Sequence, residues 1–178
     1  MNAHALTQHL TVRRVLQALL GSMAIAVASQ LTVPLPFGLV PFSLQNVAVL
    51  GLAALFGRKV AFASVAAFLL EGACGLPVFS LGSSGLVSLL GPRGGYLASY
   101  LLVAYTVGTL YNRSYPFASR FLILLLGSLI TLSLGTAYLA SFIGWGAAFA
   151  TGCVPFLLIE AAKAFGLASL LSIGRRTR

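Results

Sequence analysis

Two acids, Glu71 and Glu160, are all that the 178 residues contain, and neither falls in a stretch that reads as a solvent loop. Glu160 stands three residues before Lys163, a spacing that puts both on one helix face. A charge at the middle of a membrane helix costs about 2.5 to 3.5 kcal/mol on insertion scales, so such residues face a cavity or a partner. The pair therefore has two readings. Either it neutralises itself and fixes its helix against its neighbours, or it forms the polar floor of a ligand site, with an acceptor and a cation side by side. Arg93 lies alone among Gly91, Pro92, Gly94 and Gly95. A guanidinium there can offer its fork to an anion, and the adjacent glycines can leave backbone N–H groups free for an anion nest; the alternative is a lipid phosphate at the membrane interface. Gln45 and Asn46, on an otherwise apolar segment, must find hydrogen-bond partners in neighbouring helices or in a ligand. Ser80, Ser83 and Ser84 read as loop polarity or as ligand contacts. Phe79, Tyr96, Tyr100 and Trp145 suit an interfacial belt or packing, although aromatic walls also suit a flat ligand ring.

Catalysis finds little to work with. The two histidines, His4 and His9, precede every apolar run, so a serine/histidine intramembrane hydrolase lacks its base. No acid cluster exists to hold Mg²⁺, and no phosphate-binding glycine loop for ATP. Cys74 and Cys153 show no metal-ligand spacing; they read as small core residues, with a disulfide as the alternative because both fall near the same membrane face. A non-enzyme without a cofactor is expected.

The elements that must position these residues follow from composition. Only 7% of the residues are charged and 59% are hydrophobic, where a soluble domain carries roughly 25% charged residues. The solvent is lipid. A spanning helix needs about 20 apolar residues, so six of them leave only short loops and no hidden soluble domain. Arg13 and Arg14 followed by Val15 to Leu31, with Ala26-Val27-Ala28 as a cleavage-like site, resemble a secretory signal. The length of the run and the apolar chain that follows favour an uncleaved first helix. Pro34 and Pro36 end it. The second helix is expected from Phe42 to Phe56, ending at Gly57-Arg58-Lys59, and the third from Val60 to Cys74. Residues 75–95 hold six glycines, with Pro77 and Pro92, and read as a re-entrant outer loop or lid. The fourth, fifth and sixth helices are expected over Tyr96–Tyr111, Phe121–Ile143 and Cys153–Ile173. The expectation is an all-α, single-domain bundle of six transmembrane helices spanning residues 1–178, with a Gly-rich outer loop between helices three and four.

Placing the N-terminus in the cytoplasm puts Arg13, Arg14, Arg58, Lys59, Arg113, Arg120, Arg175, Arg176 and Arg178 on that side, nine of the eleven cations. Both termini are then cytoplasmic, and the formal charge of +9 is an orientation signal rather than a nucleic-acid footprint. Arg93 and Lys163 are left without an orientation role.

Several runs resemble one family, the BioY substrate-capture subunits of energy-coupling-factor (ECF) transporters. They are SQLTVPLPFGLVPFSLQNVAVL from Ser29, LLEGACGLPVFS from Leu69, LLGPRGGYL from Leu89 and the segment from Pro155 to Lys163. The resemblance implies six helices in the cytoplasmic membrane of a prokaryote, and a pocket for biotin open to the outside. It also implies docking on a transmembrane coupling protein that carries two ATPase subunits. In the family's last helix an aspartate and a lysine contribute to binding. Here Pro155, Phe156, Leu157 and Lys163 match, Leu158 and Ile159 replace Pro-Gly, and Glu160 replaces the aspartate, one methylene longer. Glu160, Lys163, Arg93, Gln45, Tyr96, Ser83 and Phe79 are thus expected at the ligand. Glu160 would accept from the ureido N–H groups and Lys163 or Arg93 would pair with the carboxylate. Ala24 and Ala28, with Ala18 and Ser22 as a weaker version, have the small-residue spacing that the family uses for docking through helix one. Ordinary membrane-helix packing is the other reading. The expected function is uptake of biotin as the capture subunit of such a transporter; a stand-alone secondary carrier of biotin or a related carboxylate is the alternative.

Overall fold

The computed structural model describes residues 3–34 and 40–173, with side chains from Val12 onward. Pro36, the side chains of His4 and His9, and Arg175, Arg176 and Arg178 lie outside the described residues.

Helix α1 runs over Ala3–Gln30. Beyond it, Thr32–Val33 (β1) pairs antiparallel with Phe42–Ser43 (β2), Thr32 opposite Ser43 and Val33 opposite Phe42. The second helix therefore starts at Gln45 rather than Phe42: Phe42 and Ser43 follow Pro41 in an extended ribbon, and the Ser43 hydroxyl takes the Gln45 N–H at 3.3 Å.

Helix α2, Gln45–Ala73, looks continuous by its hydrogen bonds, but Gly57 inside it has φ 74° and ψ 176°. Residue side chains with a Cβ avoid that conformation. The chain turns back there. A Cβ built on Gly21 of α1 would touch both Ser64 Oγ and Leu52 Cδ1, at 2.1 and 3.5 Å, although a straight helix would hold residues 52 and 64 about 18 Å apart. Residues 45–56 and 58–73 are thus two arms of a hairpin, and the expected break at Gly57-Arg58-Lys59 stands.

After the second arm come a 3-10 turn at Ser80–Gly82, the short helix α3 (Gly85–Leu90), α4 (Gly94–Leu110), α5 (Phe117–Ile143), α6 (Trp145–Gly152) and α7 (Val154–Ile173). The sequence reading missed α6. Gly144, at φ 80°, ends α5 and turns the chain, and α6 then leads into α7 across Cys153. By length and hydropathy alone four helices, counting α6 with α7 as one, reach a membrane span. Splitting α2 at Gly57 and adding the 17 residues of α4, about 25 Å of helix, gives six crossings in an all-α bundle.

Their directions alternate. Ser22 donates to Glu71, and Ser29 to the Val78 carbonyl, so α1 and the second arm rise together. Gly108 of α4 lies against the hairpin turn, a Cβ there falling 2.5 Å from the Arg58 nitrogen, and Gly135 and Gly95 let α5 and α4 pass with Tyr96 and Tyr138 in contact with the opposing backbone. Arg13, Arg14, Arg58, Lys59 and Arg113 consequently share one end, where Arg113 donates to the Leu55 carbonyl at 3.2 Å. Arg120 departs from the loop position expected of it: it lies in the first turn of α5 and is buried.

The core is a spine of Val49, Leu50, Val65, Phe68, Val103, Val107, Leu124 and small residues such as Ala53, Ala61, Ala104, Ala164 and Ala168. Small side chains let helices approach closely where lipid supplies no hydrophobic drive between them. Outward, Leu20, Val27, Leu158 and Leu170 are all more than 60% exposed, a surface suited to acyl chains and not to water. The chain is a multi-pass membrane protein.

Candidate functional site

At the end opposite the basic residues, the starts of α2 and α4, the middle of α5, the outer part of α7 and the loop after the second arm enclose a cavity with two lobes. Val40, Pro41, Ser43, Tyr96 and Tyr100 line both. Gln45, Ser80, Ser83, Ser88, Arg93 and Leu97 complete the outer lobe, and Asn46, Thr131, Leu132, Phe156, Glu160 and Lys163 the inner one. Their volumes are about 390 and 370 Å³, each counted out to its open mouth.

Glu160 is the inner floor. One carboxylate oxygen accepts from Asn46 Nδ2 at 2.7 Å and Ser128 Oγ at 2.9 Å; the other meets Lys163 Nζ at 2.6 Å. Lys163 Nζ also donates to the Ser43 carbonyl at 2.8 Å and stands 4.4 Å from the centre of the Phe42 ring. Thr131 Oγ1 closes the network on Asn46 Oδ1 at 3.4 Å. A buried carboxylate needs this many donors, because an uncompensated charge away from water costs several kcal/mol. The short ribbon explains itself here: it delivers the Ser43 carbonyl and the Phe42 ring to the lysine. The pair joins α7 to α2, α5 and the ribbon, and it also lines the cavity.

In the outer lobe Gln45 Oε1 accepts from Ser80 Oγ at 3.2 Å, whereas Gln45 Nε2 is buried with no partner among the described residues. Ser83 lines the lobe and donates to the Ser80 carbonyl at 2.9 Å, a bond within the Gly-rich loop, and Ser80 Oγ in turn joins that loop to Gln45. Arg93 caps α4 through its backbone carbonyl and has no side-chain hydrogen bond among the described residues. The glycines beside it serve packing. The Gly94 N–H is used by the Gly91 carbonyl at 2.8 Å, and a Cβ on Gly94 would sit 1.8 Å from the Leu89 oxygen. The Gly94 N–H is thereby withdrawn from the expected anion nest.

Tyr96 lies in the wall with its hydroxyl 3.2 Å from Thr136 Oγ1 and donating to the Gly152 carbonyl at 2.9 Å. Phe79 does not reach the cavity: its ring fills the space over Gly72 and meets Phe68 edge-on at 5.3 Å. Trp145 is 70% exposed at the start of α6, and Cys74 and Cys153 are free thiols. Ala24 and Ala28 lie on the outward side of α1, exposed and half-buried, while Ala18 and Ser22 are buried inside the bundle. Sequence reasoning missed Ser128 and Thr131. Their signal was a pair of hydroxyls three residues apart, on one face of an otherwise apolar helix.

The BioY family model matches residues 2–178 of the chain. The chain belongs to the BioY family. Biotin transporter BioY2 of Lactococcus lactis subsp. cremoris is 34% identical over 167 residues, covering 89% of this chain and 91% of that protein. Biotin transporter BioY of Thermotoga maritima is 33% identical over 153 residues, covering 85% and 89%. Among solved structures, the S-component for biotin from an ECF-type ABC transporter superposes with a TM-score of 0.79 at 26% identity, over 99% of this chain and 95% of that one. Against that BioY background, the cavity carries Glu160, Lys163 and Arg93 as its charged groups, one negative and two positive, and so lacks one negative charge.

Proposed function

We propose that this chain captures biotin on the outer face of a prokaryotic cytoplasmic membrane, with both termini in the cytoplasm, as the substrate-specific subunit of an ECF-type ABC transporter, the whole of residues 1–178 acting as one binding domain. The observation that carries the reading is the two-lobed cavity of an established BioY member, one negative charge short of neutrality and floored by a fixed carboxylate. Biotin is a monoanion with a ureido ring offering two N–H donors and one acceptor, an apolar thioether ring and a flexible arm ending in a carboxylate. Glu160 accepts from the ureido N–H groups, held in place by Asn46, whose amide donates to both Glu160 and Ser128, with Tyr96, Tyr100 and Phe156 as walls. Lys163 is already engaged by Glu160, Ser43 and Phe42, whereas Arg93 stands in the outer lobe without a partner among the described residues, so Arg93 pairs with the carboxylate. Gln45 and Ser83 contact the ligand from the mouth. Phe79 supports the loop from below rather than touching biotin.

Energy is supplied by partners: a transmembrane coupling protein and two ATPase subunits, met through the outward side of α1 at Ala24 and Ala28. The membership points to a binding and transport subunit, not an enzyme. Equilibrium binding of labelled biotin to the purified chain in lipid nanodiscs tests the reading. Saturable binding at or below micromolar biotin is expected, and its absence at that concentration would sink the proposal. Uptake by cells that lack any coupling protein would instead make the chain a stand-alone carrier.

A further inference from the structure

At the basic end, away from the ligand cavity, Arg58, Lys59, Phe62 and Tyr105 line a groove of about 750 Å³ counted to its open mouth, roughly twice either ligand lobe. The tight turn at Gly57 and the close approach of Gly108 bring the second arm of α2 and α4 together there. Phe62 follows Arg58 by four residues, so it lies one helical turn deeper on the same face, and both it and Tyr105 are about half exposed, at 44% and 50%. The Arg58 guanidinium stands over the Tyr105 ring at 5.8 Å. We infer that this groove binds one anionic phospholipid of the adjacent leaflet, its phosphate on Arg58 and Lys59 and an acyl chain along Phe62 and Tyr105.

An orientation signal alone needs cations at headgroup level; it does not need them at the mouth of an apolar groove. Neither Arg58 nor Lys59 has a hydrogen-bond acceptor among the described residues, in contrast to Arg113, which uses the Leu55 carbonyl. The chain cannot supply a side-chain counter-ion, because its two acids are engaged elsewhere, Glu71 by Ser22 and Glu160 in the ligand cavity. An anion seated there comes from outside the chain, and apolar walls below the cations select one that carries a hydrocarbon chain. A phosphodiester headgroup meets Arg as a fork and Lys as a point charge, and basic pockets between helices take such headgroups.

The test places photoreactive p-benzoylphenylalanine at position 62 of the full chain, reconstituted in phosphatidylcholine vesicles with a minor share of phosphatidylglycerol, and identifies the cross-linked adducts by mass spectrometry. Phosphatidylglycerol adducts are expected several-fold above that lipid's share of the bilayer. The enrichment should vanish in Arg58→Gln/Lys59→Gln and persist in Arg13→Gln/Arg14→Gln, a basic pair at the same end but outside the groove. The single variants Arg58→Gln and Lys59→Gln, each expected to lose part of the enrichment, carry the test should the double variant not fold. Adducts at the bilayer share in the parent chain, or equal loss from both double variants, overturn the site in favour of general surface attraction. A polypeptide adduct in native membranes overturns it in favour of a protein partner.

Discussion

At the scale of residues, Glu160 and Lys163 can be separated from the helix they sit on by what each loses alone. Lys163→Met leaves a buried carboxylate with only Asn46 and Ser128 as donors, and breaking one side of a buried pair costs about 3–5 kcal/mol. Its unfolding temperature in detergent should fall clearly. The double variant Glu160→Gln/Lys163→Met removes both charges and should regain much of that loss without regaining biotin binding. Recovered binding in the double variant would return the pair to a purely structural role. Gln45 makes the opposite case. Its Nε2 is buried without a partner among the described residues, and an unsatisfied buried donor costs about 1–3 kcal/mol. Gln45→Met should leave the unfolding temperature of the empty protein close to the parent's and weaken biotin by about the same 1–3 kcal/mol, read by calorimetry; unchanged affinity would remove Gln45 from the ligand. The charged misfits were legible in sequence because an acid or a lysine within an apolar run has few explanations. Ser128 and Thr131 were not, since a hydroxyl can bond its own helix carbonyls and stay silent, as Thr131 also does on Gly127 at 3.3 Å.

At the scale of elements, the hairpin depends on one glycine. Gly57→Ala puts a Cβ on a backbone at φ 74°, ψ 176°, a region essentially reserved to glycine and worth about 1–3 kcal/mol of strain. Thermal unfolding should show that loss, with no direct effect on ligand contacts, which lie at the far end of both arms. Gly75, at φ 98° with open space around its Cβ position, is the matched control for strain without packing. The helices themselves were readable from apolar runs, and the break at Gly57-Arg58-Lys59 from its glycine and charges. The ribbon at Thr32–Val33 and Phe42–Ser43 was not readable, because two-residue strands leave no periodicity and their reason, delivering Ser43 and Phe42 to Lys163, lies 120 residues away. Likewise α6 was invisible as a separate element: Gly144 and Cys153 divide a run whose composition stays apolar throughout. Trp145 is exposed at its start, so its fluorescence should be quenched by brominated lipid and respond little to biotin. Strong biotin quenching would place it nearer the ligand than the fold does.

At the scale of the whole molecule, alternating directions put the basic residues at one end and the cavity at the other, and charge placement then decides which end faces outward. The bias of short-loop lysines and arginines sets orientation, so the proposed orientation has Arg13, Arg14, Arg58, Lys59 and Arg113 at the cytoplasmic end and predicts that the Gly-rich loop faces out. Single cysteines read this directly once Cys74 and Cys153 are replaced by serine. A cysteine for Asn112, exposed in the loop between α4 and α5, should react with a membrane-impermeant maleimide only after the cells are opened. A cysteine for Ser83, at the cavity mouth, should react in intact cells. Because Ser83 donates to the Ser80 carbonyl, and Ser80 in turn joins the loop to Gln45, biotin seated between Gln45 and Arg93 should also cover position 83 and slow its labelling, while leaving position 112 unaffected. Labelling at 112 and protection at 83 on the reversed sides would invert the orientation. Labelling at 83 that ignores biotin would separate the loop from the ligand and leave the cavity floored by Glu160 but unlidded.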